Sequence, residues 1–372
     1  MEYNDLPGLA LGVSSMGHRW TGCAGVRDTV TGYPLETGDV FHCASVSKLF
    51  TSAAILKLID AEVLGYDDLL ADILPDLTFD DERARDIRLW QMLSHTASLG
   101  DVDDYHWEKA LTGRDALKNY VYSDEVRTLP LLAEPGKLGF RYSNIAYEIL
   151  GHIVSEKSEE YGEAVGTGKG RLSFEDFVKE YLMKPAGMDD STMKTFERIG
   201  VTEGEECPNI TDEIRRSNGM DIKPAMALPH ERSDDRSLTP VRYYPYTRSH
   251  GPSSTLTSTL EDLLSWGEKH IEGFSHKGKG GLMSHDAYTH AGYEYATVPN
   301  NGEKMGLGWF MREQCGHRLY GHEGTDDGFR ASFWICPELE LVTVALSNLS
   351  IASVKKINIK LFDRLMDMMT DQ

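Results

Sequence analysis

Val40-Phe41-His42-Cys43-Ala44-Ser45-Val46-Ser47-Lys48 reads as a short apolar strand running straight into a helix. The helix, Val46 to Val63, carries Leu49, Ala53, Leu56 and Ile59 or Asp60 at helical spacing. Gly65 stands just past its end as a stop signal. Ser45 therefore sits where a strand turns into a helix, with Lys48 three residues on. A serine hydroxyl is a poor nucleophile at neutral pH and needs a base beside it. Positions three apart on a helix share a face, so Lys48 reaches back to the Ser45 oxygen. The helix N-terminus adds partial positive charge and unpaired N–H groups near a reacting carbonyl. Burial in that field moves the lysine pKa down, toward the range where it accepts a proton. Read without context, the same tetrad is an N-capping serine followed by a solvated lysine.

Upstream, Leu9 to Ser15 is an apolar run, Met16-Gly17-His18 a turn and Trp20 to Val26 a hairpin partner, before the turn-rich Asp28 to Gly32. The last hundred or so residues return to β-character, with strands at Leu307 to Arg312, Arg318 to Gly321, Phe329 to Cys336 and Leu341 to Ser347. The continuous apolar run Leu341-Val342-Thr343-Val344-Ala345-Leu346 marks a central strand covered on both faces. A closing amphipathic helix carries Val354, Ile357, Leu361, Leu365 and Met368.

Between these parts, helical stretches (Arg88 to Ser94, Trp107 to Val121, Asn144 to Glu156, Phe174 to Met183) alternate with polar loops. Glu156 to Leu172 reads as a solvent-exposed insertion. Its Gly166-Thr167-Gly168-Lys169-Gly170 fails the phosphate-loop spacing and reads as a loop. Residues 201–250 show no periodicity and read as a long surface excursion, with His230, Tyr243, Tyr244 and Tyr246 in packing or surface roles. Lys277-Gly278-Lys279-Gly280-Gly281 is a further loop. The expected fold class is α/β of the α+β type. An antiparallel sheet flanked by helices comes from residues 1–65 and 247–372, and a mostly helical domain with irregular insertions from 66–246. A site is expected in the cleft between them.

Two other segments bear on Ser45. Tyr142-Ser143-Asn144, on a loop entering a helix, places a phenol that can relay a proton and an amide that can orient a substrate carbonyl or hold Lys48. The structural alternative is a packed tyrosine with Asn144 as helix N-cap. In Tyr320-Gly321-His322-Glu323-Gly324-Thr325-Asp326-Asp327-Gly328-Phe329, glycines flank a polar residue on a strand, a sign of close approach by a backbone or ligand. No second histidine follows at zincin spacing, so no metal site is expected there.

In this order and separation, the three elements resemble the penicillin-recognising serine hydrolases: class C β-lactamases, DD-peptidases and related esterases. The second element has the tyrosine form, and His322-Glu323-Gly324 stands in place of Lys-Thr-Gly. Ile87-Arg88-Leu89-Trp90-Gln91-Met92-Leu93-Ser94-His95-Thr96, Met183-Lys184-Pro185-Ala186-Gly187-Met188, Met305-Gly306-Leu307-Gly308-Trp309 and Leu346-Ser347-Asn348 resemble further landmarks. The resemblance implies an acyl-enzyme mechanism. Ser45 is then the nucleophile, and Lys48 and Tyr142 share its deprotonation and protonation of the leaving group. Asn144, His322, Gly324 and Thr325 serve substrate binding, with the N–H groups of Ser45 and Thr325 as oxyanion hole. Histidine in place of lysine removes a permanent cation for a substrate carboxylate, unless a neighbour such as Glu323 raises its pKa. That turns the expectation from strong β-lactamase activity toward an esterase, amidase or peptidase.

Composition narrows the field. The formal charge is −21, from 59 acidic against 38 basic residues, which disfavours nucleic acid and anionic lipid as partners. No run approaches the ~18 apolar residues of a membrane span. The five cysteines are widely spaced without a CxxC, and read as buried reduced thiols rather than disulfides or a zinc site. Met1-Glu2-Tyr3-Asn4-Asp5 lacks the basic and apolar regions of a signal peptide, so the chain as it stands reads as cytoplasmic. A secreted or periplasmic chain trimmed of its leader would read the same. The expectation is a serine hydrolase without cofactor or metal, acting on a small ester, amide or D-amino-acid-containing peptide. The rivals are a genuine β-lactamase and a catalytically silent binding or sensor protein that keeps the fold.

Overall fold

Met16 and Gly17 both take positive φ, 47° and 80°, as a two-residue hairpin turn demands if its twist is to match its strands. They join β1 (Gly8–Ser15) to β2 (His18–Gly25). The other edge of β1 pairs with the far end of the chain, Leu9 opposite Ser347. The computed structural model describes residues 6–205, 210–220, 223–275, 281–299 and 301–370. The remaining strands of the main sheet are β3 (Ala296–Thr297), β4 (Lys304–Met305), β5 (Phe310–Gln314), β6 (His317–Asp326), β7 (Phe329–Cys336) and β8 (Leu341–Ser347). The eight strands run in the order β2-β1-β8-β7-β6-β5-β4-β3, every pairing antiparallel. The expected fold class stands.

The apolar run in β8 is buried at every position, and alternation explains why it has no polar face. Val342, Val344 and Leu346 join the main core with Leu263 and Leu264 of one helix (Leu260–Phe274). Leu341 and Ala345 face the other way, toward Phe362 and Val354 of the C-terminal helix Val354–Thr370. Helix α1 (Ser47–Asp60) is buried on nearly all sides, and α2 (Asn144–Ala164) packs across it.

Several boundaries differ from the sequence reading. The first helix ends at Asp60, with Glu62 in the left-handed region, while Gly65 donates its N–H to Asp68 at 2.7 Å instead of capping. Of Trp107 to Val121 only Ala116–Val121 is helical. The expected insertion after Glu156 continues α2 to Ala164, because Tyr161 packs on Phe177 and Tyr181 at 5.0 and 4.8 Å between ring centroids. The glycine-rich segment that follows is a loop, with Gly166 and Gly168 at positive φ. Residues 201–250 are not a surface excursion: they hold a helix (Ile210–Gly219) and a ribbon of His230–Arg232 with Leu238–Pro240. His230, Tyr244, Tyr246 and Arg248 are buried there, and Arg248 donates to buried Glu175 at 2.7 Å. Strand β5 begins only at Phe310, and β6 reaches Asp326 rather than Gly321. Cys43 and Cys336 are buried free thiols, but Cys315 is exposed, on the tight turn between β5 and β6. Cys207 and residues 277–280 lie outside the described residues.

One packing contact carries the fold into the site. A Cβ on Gly151 of α2 would stand 2.0 Å from Pro252 Cγ, and a proline ring has no rotamer that moves it aside. Gly151→Ala is expected to cost about 1–3 kcal/mol through overpacking, read as a lowered Tm by calorimetry. An unchanged Tm would show that this contact yields freely.

Candidate active site

The strand-to-helix junction at Ser45 is built from backbone first. The Cys43 N–H donates to the Leu256 carbonyl at 2.8 Å, and Ala44 takes φ +47° before a 3-10 turn, Ala44–Val46, feeds α1. Left-handed backbone costs an L-residue about 1–2 kcal/mol, so neighbours must hold it. One of them is β6. A Cβ on Gly324 would stand 2.3 Å from the Cys43 carbonyl oxygen, so a glycine there lets the strand lie against the turn. Thr325, the next residue, lines the same cavity as Ser45.

Lys48 is completely buried, and its ammonium meets three oxygens. They are Ser45 Oγ at 3.1 Å, Asn144 Oδ1 at 2.5 Å and the Ser253 carbonyl at 2.9 Å. Burial pushes its pKa down from 10.5 to about 8, opposed by the carboxylates of Glu148, Asp101 and Asp326. The Asn144 amide is locked from its other end. Its Nδ2 donates to Asp101 at 2.9 Å and to the Tyr105 hydroxyl, and its backbone N–H donates to Asp101 at 2.8 Å. With those donors used, the amide oxygen faces Lys48. Asn144 is not the helix cap: Ser143 is, its hydroxyl accepting from the Ala146 N–H at 3.2 Å.

Tyr142 lies with its ring centroid 4.9 Å from Lys48 Nζ, stacked at 4.3 Å on His95. Burial holds its phenol well above the usual range, partly offset by a hydrogen bond with the Ser45 side chain. His95 is kept neutral by burial and accepts the Ser143 N–H on Nδ1 at 3.2 Å.

His322 is pushed down to about 3 by burial and by the charge of Lys48. The Glu323 carboxylate does not raise it, because neighbouring strand residues point to opposite faces; only the Glu323 carbonyl opposes the shift. The Glu323 carboxylate instead accepts from Trp334 at 2.7 Å and Ser332 at 3.2 Å. The His322 Nδ1 lies 2.6 Å from the Glu323 carbonyl, which can only accept. Nδ1 therefore carries the proton, and Nε2 is left as an acceptor without a partner among the described residues.

Ser45, Tyr142, Asn144, His322 and Thr325 all line one cavity of about 430 Å³, while Lys48 and Gly324 sit behind its wall. Sequence reading missed Asp101, Tyr105 and Ser253, and gave Asp326 no role although it lies in the quoted segment around His322. Asp101 follows the His95-Thr96 landmark so closely that it was the one within reach. Among the described residues, Asp104, His106 and Glu108 bring their ligand atoms within 4.8 Å of one another. They are largely solvent-facing, on the loop that sends Tyr105 and Trp107 into the cavity.

A family model described as Beta-lactamase matches residues 1–362. The chain belongs to the β-lactamase family. Within it, the chain is similar to penicillin-binding protein 4 of Amycolatopsis lactamdurans, 26% identical over 94% of this chain and 82% of that one. Its fold is shared with a D-stereospecific amidohydrolase from Streptomyces (TM-score 0.70, 18% identity, 95% and 93% of the two chains). It is also shared with a class C β-lactamase from Rhodobacter sphaeroides (TM-score 0.69, 18% identity, 99% and 96%). The resemblance drawn from the motifs is thus a family membership. No helix among the described residues is long and apolar enough to cross a membrane.

The Lys48 environment makes a direct prediction. In NMR of lysine-labelled protein, with Lys48→Arg to assign the signal, Lys48 should titrate near 8. The sign follows from the depressed value. Between about 8 and 10.5 the unfolded chain binds more protons than the folded one at this residue. Its contribution to stability therefore rises with pH across that window. Titration near 10.5 would show that the amine is not desolvated.

Proposed function

We propose that the chain is a serine hydrolase that works through an acyl-enzyme on small esters, amides or D-amino-acid-containing peptides. The observation that carries this is the buried Lys48 amine, 3.1 Å from Ser45 Oγ and with its pKa brought down to about 8. At neutral pH a useful fraction of such an amine is unprotonated. It takes the Ser45 proton as the oxygen attacks the carbonyl. Tyr142, beside Ser45 in the cavity wall and with its ring over Lys48, relays that proton to the leaving group. The N–H groups of Ser45 and Thr325 receive the developing oxyanion, where one lost donor typically costs about 3 kcal/mol. Water then attacks the acyl-Ser45 ester along the same path in reverse. Asn144 acts here mainly as a fixed acceptor for Lys48.

The neutral His322 supports placing the substrate among esters and amides rather than β-lactams, whose carboxylate seeks a cation. The amidohydrolase neighbour agrees with an amide substrate. A silent binding protein is the weaker reading, because Ser45, Lys48 and Tyr142 are all present and in mutual contact.

A fluorophosphonate probe is expected to form one adduct on the native chain and none on Ser45→Ala. Turnover of p-nitrophenyl esters should rise with pH through an apparent pKa near 8. Lys48→Met should lower it by on the order of 10²- to 10⁴-fold. An adduct that persists in Ser45→Ala, or none on the native chain, would defeat the reading. Hydrolysis of a chromogenic cephalosporin faster than of esters would instead favour the β-lactamase.

A further inference from the structure

Apart from the Lys48 ammonium behind it, the wall of the cavity around Ser45 carries charge of one sign among the described residues. We propose that it selects substrates whose acyl or leaving group carries an ammonium, primary or quaternary, and turns away those presenting a carboxylate; this rests on the reading of Ser45 as the acylating residue. Among the described residues, no lysine or arginine side chain lines the cavity. Three carboxylates do, and they are not equivalent. Glu303 is matched by Lys355 at 2.5 Å and Asn301 at 2.8 Å. Glu323 is turned to the far face, bonded to Trp334 and Ser332 with Arg312 at 4.0 Å. Asp326 remains. Its Oδ2 accepts from His42 Nε2 at 2.8 Å and from Ser254, and no hydrogen bond from the described residues reaches its Oδ1. The Arg330 guanidinium bonds the Asp326 and Phe329 carbonyl oxygens at 2.9 and 2.8 Å and meets the Asp326 carboxylate through its charge alone. The Asp326 side chain is 13% exposed, in the cavity wall.

By itself, a carboxylate with one oxygen left over could be ordinary surface chemistry. The second observation is His322. This residue is 1% exposed and forms part of the same wall. Its remaining ring nitrogen, Nε2, is an acceptor without a partner among the described residues. At this point the wall holds a buried lone pair that asks for an N–H or O–H. Aromatic side chains complete the lining: Tyr105, Trp107, Phe140 and Phe310. Ring faces attract cations, best when water is excluded. Asp101 and Glu148, just behind the wall, add their fields at Lys48 with the same sign as Asp326. An ammonium thus meets an acceptor, a carboxylate and aromatic rings, whereas a carboxylate meets no cation among the described lining residues.

The test uses three probes of nearly equal size: choline, its uncharged carbon isostere 3,3-dimethylbutanol, and 3,3-dimethylbutyrate. Binding is measured by ligand-observed NMR on the native chain, Ser45→Ala, Asp326→Asn and Trp107→Leu. Choline is expected to bind about tenfold tighter than the alcohol, with the butyrate weakest. That advantage should shrink severalfold in Asp326→Asn. Should Asp326→Asn fail to fold, Trp107→Leu, on an irregular loop, should still weaken choline more than the alcohol. Ser45→Ala should keep the preference, so loss of hydrolysis and loss of charge selection are separate results. Equal binding of choline and alcohol, binding of the butyrate as tight as choline, or no binding of any probe at millimolar concentration overturns the proposal.

Discussion

An ammonium group cut off from water must be given acceptors by the protein, and Lys48 draws one from its own turn and two from distant parts of the chain. Ser45 comes from the turn before α1, Asn144 from the first turn of α2, and the Ser253 carbonyl from the segment after Pro252. Each supplier is fixed in turn. Asp101 and Tyr105 hold the Asn144 amide. Ser253 donates its hydroxyl to buried Glu148 at 2.5 Å, one turn beyond Asn144 on the same helix face. Pro252 rests against Gly151, one turn further still. The buried charge thus ties α1, α2 and the 250–254 segment into one arrangement. Removing a single acceptor leaves a desolvated cation under-bonded, which is more costly than losing an ordinary hydrogen bond.

The same cation also depresses its neighbours. His95 and His322 both lose proton affinity to burial first and to Lys48 second. One positive charge is therefore surrounded by neutral rings, with carboxylates set farther back. The polarity of the site differs from that of a pocket with lysine at position 322, although the backbone frame that carries it is the family's.

How much of this is legible in the sequence depends on the kind of signal. The hairpin, β8 and the two helices that follow Ser45 and Tyr142 are legible because their patterns are local: a Met-Gly turn, an apolar run, apolar spacing. Ser45, Lys48, Tyr142 and Asn144 are legible because spacing on a helix or loop fixes which face they share. Asp101, Ser253 and Asp326 are not, since only tertiary packing brings them to Lys48 or into the cavity wall. The 201–250 segment misled for a related reason. Its buried groups include Arg248, whose burial depends on Glu175, a partner 73 residues away. Trp107 misled in the opposite sense, read into a helix where a loop delivers the ring to the cavity.

The pairing of β1 with β8 has a consequence for the order in which the chain can assemble. Until Leu341–Ser347 has been made, β1 has only β2 to pair with, and an isolated two-stranded hairpin is marginal in water. Closing that contact means joining residues more than three hundred positions apart, the kind of non-local pairing that slows folding. During synthesis the hairpin must therefore wait with an unpaired apolar edge, an association hazard. The sheet that frames the site becomes continuous only when its last strand docks.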